Sequence, residues 1–255
     1  MTVGGIDLSG SATIVRPAAI NILSRHELEA CKRCDARHQG LCDALHDDDL
    51  HFLSDAAHRS AIAKGEVFVT EGNPARNFFN INQGAAKLYM DLADGRRQIT
   101  GFVGVGDFVG LAAGTRYAFS AEAIEPVQLC RFDRIELRAV SARFPVIERR
   151  LLEIASHELV IAQEQMLLLG RKTAIERVAS FLEGWYRRTL CADPGAPLDL
   201  PMLRGDLAEY LGLTIETVSR VLASLRRQGV VAVAADHRIS ILDHARLAAI
   251  GQTFA

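Results

Sequence analysis

The sequence has no apolar run close to the roughly 18 residues that a membrane-spanning helix needs. Its first residues, MTVGGIDLSGS, also lack the basic start and the apolar stretch of a secretory signal peptide. These absences argue against a membrane partner and predict a cytoplasmic protein, in which paired cysteines would not stay oxidised. The five cysteines of the chain therefore raise the question of metal binding.

Motifs for catalysis are missing as well. The eight histidines form no HExxH pattern, and no Ser, His and Asp arrangement is suggested. Neither a Walker motif nor a dinucleotide-binding glycine motif occurs. We accordingly expect a protein that is not an enzyme.

The composition is that of a folded chain. Of the 255 residues, 49% are hydrophobic and 24% are charged, which excludes disorder and collagen-like repeats. The formal net charge of -2 is unevenly spread, because residues 171–255 carry 11 Lys and Arg against 9 Asp and Glu. This small excess is a weak indication of a nucleic-acid partner for the C-terminal part.

Four segments of different texture follow one another along the chain. Residues 1–50 predict an irregular segment that holds three of the cysteines. Residues 51–140 predict an antiparallel β-roll, because residues 64–132 form short runs rich in Val, Ile, Phe and Tyr with Gly or Asn at the breaks. Residues 141–171 predict one long helix, and residues 172–255 predict a winged helix-turn-helix. We therefore expect an α+β fold.

The long helix carries two apolar stripes. One has the a and d rhythm of a coiled-coil seam and consists of Leu152, Ala155, Leu159, Ala162, Met166 and Leu169. The second stripe lies beside it and consists of Ile147, Leu151, Ile154, Ile161 and Leu168. We expect one stripe to face the roll and the other to face a second subunit, with a helix buried inside one domain as the alternative. The sequence does not determine which stripe does which.

The C-terminal helix pair has the pattern of a DNA reader. Within DLAEYLGLTIETVSRVLASLRRQG, the buried faces of two crossing helices are supplied by Leu207, Ala208, Leu211, Val218, Val221, Leu222 and Leu225. Thr214 is placed to cap the second helix, and Gly229 can close its far end in a left-handed conformation. Glu216, Ser219 and Arg220 then lie together on one outward face.

These three outward side chains suit the major groove of DNA. Arg offers two donors that match guanine O6 and N7, Glu can accept from cytosine N4, and a Ser hydroxyl can do either. Judged by spacing alone, a solvated face of an ordinary helix bundle is an equally good interpretation.

LGLTIETVSRVLASLRRQGVV resembles the recognition element of the CRP/FNR transcription regulators, and Glu216-x-x-Ser219-Arg220 is similar to the FNR branch. The stretch RRQITGFVGVGDFVGL resembles the sensory roll of that branch, and the resemblance covers the chain from about Cys31 to its end. It implies a homodimer that binds double-stranded DNA at a palindrome of the type TTGAT...ATCAA, with RNA polymerase as a further partner. Arg220 would read guanine, Glu216 and Ser219 would read neighbouring bases, and Thr214 completes the predicted DNA-binding set.

The cysteines complete the resemblance. Cys31 and Cys34 can lie on one side of a tight turn, Cys42 can supply a third thiolate, and Cys130 alternates with the buried residues of the predicted strand VQLCRF. FNR-like oxygen sensors have three N-terminal cysteines and a central one on the roll, so the resemblance implies one [4Fe-4S] cluster per subunit on these four residues. The C-x2-C-x7-C spacing is similar to that of FNR-type regulators in rhizobia and wider than in the enterobacterial form. Cys191 matches no ligand position.

Nearby cations favour such a negatively charged cluster, and Lys32, Arg33 and Arg37 could provide them. Two other interpretations of the cysteines stay open. A zinc site could combine the three N-terminal cysteines with either His38 or His46. Alternatively, the central cysteine could be a small buried side chain while the other three have no role.

Cyclic nucleotides are not expected to bind. Nucleotide-binding members of this superfamily hold the ribose with a Glu after a glycine turn and the phosphate with an Arg-Ser or Arg-Thr pair. This chain has Gly106-Asp107-Phe108 and then Phe119-Ser120, so a phosphate would find no bidentate Arg partner.

We therefore expect an oxygen-responsive, DNA-binding activator that works under low oxygen. One alternative is a regulator that senses haem-bound nitric oxide or a small metabolite at the same roll. The other is an electron-transfer protein, which would not need the DNA-reading face.

Overall fold

The structure, a computed structural model, describes residues 25–111, 114–189, 198, 200–234 and 239–251. A β-roll is followed by a long helix and a winged helix-turn-helix domain, so the predicted α+β architecture is confirmed. Within the described ranges, no helix is long and apolar enough to cross a membrane.

The roll consists of two antiparallel four-stranded sheets with the orders β1-β8-β3-β6 and β2-β7-β4-β5. Its strands are β1 (Ala57–Ile62), β2 (Val67–Val69), β3 (Asn77–Gln83), β4 (Ala86–Asp91), β5 (Arg97–Val103), β6 (Phe108–Val109), β7 (Ser120–Ala123) and β8 (Val127–Asp133). The sequence did not predict β1, because this edge strand, AHRSAI, has no fully buried residue and carries few of the aliphatic and aromatic residues that mark a strand.

Regular structure also begins earlier than expected. The interpretation of residues 1–50 as irregular is wrong for α1 (Arg25–Lys32) and for a 3₁₀ helix at Leu41–Ala44. A third short helix, α2 (Leu50–Asp55), packs against α1. Each of these helices is too short to show a repeating apolar stripe in the sequence.

Strand β8 faces two different cores. Val127 and Leu129 point between the two sheets and pack with the interior of the roll. Cys130 and Phe132 point to the other side, where Leu41 and its neighbours from the N-terminal segment cover them. The alternation of a strand thus places Cys130 under the segment that contains the other three cysteines of the predicted site.

Two helices follow the roll. α3 (Arg134–Arg143) begins at the N-cap Asp133, and α4 (Pro145–Arg171) begins with a proline at its first position. The long helix predicted for residues 141–171 therefore starts at Pro145, because Phe144 interrupts the helical backbone between the two helices.

The two stripes of α4 have different surroundings. The second stripe packs within the chain, with Ile147 fully buried and Leu168 only 7% exposed. The first stripe lies open over most of its length, since Leu152 is 67% exposed, Leu159 60% and Met166 72%, whereas Leu169 at its end packs against the DNA-binding domain. The stripe that is available to a second subunit is therefore the first one.

The C-terminal domain has the predicted layout. Its helices are α5 (Ala174–Thr189), α6 (Arg204–Leu211), α7 (Ile215–Arg227) and α8 (His244–Gly251), and its wing is the antiparallel pair β9 (Val231–Val233) and β10 (Ile239–Ile241). Six of the seven predicted core residues of α6 and α7 are buried, and Val221 is partly buried.

This domain is docked on the outer face of the β4–β5 pair. Phe102 of β5 forms one aromatic group with Phe181, Trp185 and Tyr210. A salt bridge also joins the two domains. Lys87 Nζ is 2.9 Å from Asp206 Oδ1, and both side chains are largely buried. The roll and the DNA-binding domain therefore form a continuous interface within one chain.

Candidate functional site

The start of α7 is shaped by its N-cap. Thr214 has extended backbone angles, and its hydroxyl accepts a hydrogen bond from the Thr217 amide at 3.2 Å. Gly229 follows the helix with a φ of +70°, as predicted for the residue that ends it. Thr214, which the sequence placed in the DNA-binding set, thus caps the N-terminus of the helix that carries the three predicted base-reading residues.

The predicted base-reading side chains face outward together. Glu216 and Arg220 are exposed and Ser219 is half-buried, whereas Val218 and Leu222 lie in the core. The Glu216 carboxylate accepts hydrogen bonds from its own amide and from Thr214, which lowers its pKa, and Arg220 acts in the same direction. At neutral pH the face therefore offers one anionic acceptor and one cationic donor.

The four predicted cysteine ligands come from separate parts of the chain. Cys31 is near the end of α1, Cys34 is in the turn that follows, Cys42 is in the 3₁₀ helix, and Cys130 is on β8. All four are free thiols. We refer to Cys31, Cys34, Cys42 and Cys130 as the four-cysteine site.

The four thiols influence one another. Burial, followed by the thiols of Cys130, Cys31 and Cys34, raises the pKa of Cys42 to about 12. Burial also raises the pKa values of Cys34 and Cys130 above the ordinary value for a thiol. Without a cation, Cys34, Cys42 and Cys130 are therefore held as neutral thiols at neutral pH, and a bound metal would have to displace their protons.

Two side chains that the sequence did not single out donate to sulfur. Arg59 Nη2 lies 3.1 Å from the Sγ atom of Cys31, and Asn82 Nδ2 lies 3.1 Å from the Sγ atom of Cys130. Hydrogen bonds to ligand sulfurs stabilise the thiolate form and tune a metal cluster. Asn82 is a polar residue on β3, the strand that pairs with the strand of Cys130, and this position is the signal that could have identified it.

The expected cations are placed differently. Lys32 and Arg33 are exposed, and Lys32 lies 3.8 Å from the Glu29 carboxylate. Arg37 is buried and donates to the carbonyls of Cys42 and Leu45. Arg37 therefore fixes the backbone around Cys42 and also opposes the rise of its pKa.

The donor set suits a thiolate-bound cluster by residue type, although the four sulfur atoms are not arranged around one common metal position. Across the ranges that the structure describes, no three His, Cys, Asp or Glu side chains stand ready to hold a metal ion. The histidines of the zinc interpretation are exposed, and His38 Nδ1 is 3.8 Å from the Asp43 carboxylate. The side chain that accompanies the three N-terminal thiols is Cys130, which is also packed among apolar residues.

The residues at the positions where nucleotide-binding members of the superfamily hold the ribose and phosphate make contacts within the chain. Ser120 is 5% exposed, and its hydroxyl accepts from the Glu71 amide at 3.0 Å. Phe119 packs against the interior of the roll. The carboxylate of Asp107 accepts from the Gly104 amide and from Arg188 of α5. These three side chains are thus engaged in contacts within the chain, which agrees with the expectation that they do not serve a cyclic nucleotide.

Comparison with known families supports both folded parts. Residues 59–144 match the cyclic nucleotide-binding domain family, and residues 176–250 match the Crp-like helix-turn-helix domain family.

Several curated proteins are similar over most of their length. The nitrogen fixation regulation protein FixK of Bradyrhizobium diazoefficiens is 40% identical over 221 residues, which cover 86% of this chain and 93% of that protein. The transcriptional activator protein FnrL of Cereibacter sphaeroides is 34% identical over 225 residues, covering 86% and 91%. The structure of FixK2 from Bradyrhizobium japonicum has 38% identity and a TM-score of 0.73, with 78% of this chain and 99% of that chain covered. The names of FixK and FnrL describe regulators and not enzymes. By this similarity and the two family matches, the chain belongs to the CRP/FNR family of transcription regulators.

Proposed function

We propose that this protein is an oxygen-responsive, homodimeric transcription activator, and that its four-cysteine site holds one [4Fe-4S] cluster per subunit. The observation that carries the proposal is that the N-terminal segment with three of the cysteines covers the face of β8 that carries the fourth, so that Cys42 and Cys130 pack in the same apolar cluster. A cluster bound there would supply the sensitivity to oxygen. The target is DNA with a TTGAT...ATCAA-type palindrome, and an activator bound there would contact RNA polymerase.

The residues around the site have separate tasks in this proposal. Arg59 donates to the sulfur of Cys31, and Asn82 donates to the sulfur of Cys130 and opposes the rise of the Cys130 pKa. Arg37 holds the carbonyl of Cys42 in place. A ligand common to all four cysteines would fix the N-terminal segment against the roll, and through Ile147 of α4 against the long helix.

Dimer formation is assigned to the open stripe of α4. Its exposed leucine and methionine side chains form an apolar strip on a helix whose other stripe is already packed. Burial of apolar surface contributes roughly 25 cal/mol per Å² to an interface, from which the entropic cost of association must be subtracted. Because two of the six positions, Ala155 and Ala162, are small, the association energy is modest and sensitive to the position of the helix.

The proposal is tested by anaerobic purification followed by iron and sulfide analysis. We expect about four iron and four sulfide per subunit, with broad absorption in the visible range. Zinc without sulfide would contradict the cluster, and so would a metal-free protein after anaerobic purification. Specific binding to the palindrome separates the regulator from an electron-transfer protein.

A charge in the open stripe should separate the subunits. We expect Leu159→Arg to weaken dimerisation by about 100-fold, because two guanidinium groups would face each other in an apolar seam. Val160→Arg is the matched control, since Val160 is 50% exposed on the same helix but lies outside both stripes. Sedimentation at several concentrations measures the effect. Equal weakening by both variants would show that the seam is assigned to the wrong face.

Cyclic AMP should not bind. We expect no saturable heat in a calorimetric titration with cAMP at about 1 mM, because a phosphate would meet Phe119 where an arginine is needed. The Ser120 hydroxyl already accepts a hydrogen bond from Glu71. A saturable heat with micromolar affinity, or stimulation of DNA binding by cAMP, would overturn this expectation.

A further inference from the structure

A tight turn of the roll, Gly104–Asp107, lies between the cysteine segment and the DNA-binding domain. Gly106 has a φ of +89°, and its amide donates to Ile81 at 2.9 Å. The Asp107 carboxylate accepts from the Gly104 amide at 2.8 Å and closes the turn. The turn is therefore held firmly by its own bonds and by the sheet.

On one side, the turn is in contact with the loop between the second and third cysteines of the four-cysteine site. A Cβ atom on Gly40 would lie 2.7 Å from the Gly106 carbonyl oxygen and would overlap the side chain of Asn80. A Cβ atom on Gly106 would lie 2.6 Å from the Gln39 Cβ. Loop and turn are packed so closely that a shift of the loop must displace the turn.

The same loop is fastened to the long helix. Arg150 of α4 donates from Nη2 to the Gln39 carbonyl at 3.0 Å and from Nε to the Gly40 carbonyl at 3.3 Å. Ligation of the neighbouring cysteines, or the loss of that ligation, would therefore act on a loop that contacts both the Gly104–Asp107 turn and α4.

On its other side, the turn holds the DNA-binding domain. Arg188 of α5 donates to the Asp107 carboxylate at 2.7 Å and to the Phe102 carbonyl at 3.3 Å. Glu158 of α4 interacts electrostatically with this pair. Burial and the Asp107 charge raise the pKa of Glu158, whereas the Arg188 charge lowers it. Helix α5 packs in turn against α7, so a displacement of Arg188 reaches the recognition helix.

We propose that Asp107 and Arg188 are positioning residues, which couple the cysteine segment to the orientation of the DNA-binding domain within a single subunit. This route is additional to control of the dimer population. It rests on the proposed function only in taking the cysteine segment as the sensing element, because none of its contacts requires a bound metal.

A double-mutant cycle in the full-length, metal-free protein tests the coupling. Gly40→Ala displaces the loop, and hydrogen exchange reports on α5 and α6. We expect Gly40→Ala to accelerate exchange there by about fivefold or more, and by less than about twofold when Arg188→Gln is also present. Arg188→Lys keeps the positive charge and should restore part of the coupling.

A second tie of the same interface provides the control. Lys87→Gln removes the contact with Asp206, which involves neither Asp107 nor Arg188. The effect of Gly40→Ala should persist in this background. If Gly40→Ala does not fold, Arg150→Gln releases the loop instead and should show the same dependence on Arg188.

Two results would overturn the coupling. One is equal acceleration in α5 and α6 with and without Arg188. The other is faster exchange in the loop itself with no change in α5 and α6. Since the measurement uses metal-free protein, absence of an iron-sulfur cluster from the anaerobic protein would refute the proposed function and leave this result standing.

Discussion

Serine at any one position of the four-cysteine site is expected to reduce palindrome binding by the anaerobic protein by about 100-fold. Three of the cysteines belong to the N-terminal segment and one to β8, so each variant removes a connection between the same two parts. With that connection lost, α4 keeps its direct contacts with the N-terminal segment but loses the constraint that a shared ligand would add, and we expect fewer subunits to pair at cellular concentration. A monomer can occupy only one of two half-sites that lie about one helical turn apart.

The matched control is Cys191→Ser, because Cys191 matches no ligand position in the sequence and lies outside the described residues. This variant should keep the iron content, the dimer fraction and the DNA affinity of the parent protein. Gel shift and sedimentation, each with anaerobic and aerated samples, measure the outcome. An aerated, iron-free parent protein that stays dimeric and binds as tightly as before would refute the mechanism.

Arg220→Ala should relax specificity at one base pair of each half-site. A bidentate contact from arginine to guanine contributes about 1 to 3 kcal/mol of discrimination, so the variant should lose roughly that preference at one position only. In the structure, Arg220 is exposed and donates to the hydroxyl of Thr217 at 3.3 Å, so little must be broken before it reaches a base.

Arg226→Ala provides the comparison. Arg226 is exposed in the last turn of α7, far from the end that would enter the groove, and its loss should weaken all sequences about equally. Affinities for a set of half-site variants at fixed salt distinguish the two. A uniform loss with Arg220→Ala would mean that Arg220 contacts phosphate.

The recognition helix could be predicted in detail because its signals are local. Thr214 as the cap, Gly229 as the terminator and the buried face between them all lie within 16 residues of the sequence. Cys130 was likewise predictable to face away from Val127 and Leu129, since strand alternation depends only on nearest neighbours.

The contacts that organise the cysteines could not be predicted from one sequence. Arg59 is 28 residues from Cys31, Asn82 is 48 residues from Cys130, and neither pair shares a local pattern. The docking of the DNA-binding domain on the roll is even less local. For the same reason the sequence defined two stripes on α4 but could not assign them, because only the folded chain determines which stripe is covered.

The packed stripe of α4 also fixes the length of that helix. Ile147 is buried against the N-terminal segment near one end, and Leu168 is buried against the DNA-binding domain near the other. One inserted residue between them would rotate one end relative to the other by about 100°, and even seven, which restore the phase to within about 20°, would move the two ends about 10.5 Å further apart. Relatives that keep both contacts should therefore keep the number of residues between them, whereas insertions before or after this part of the helix would leave the two contacts in place.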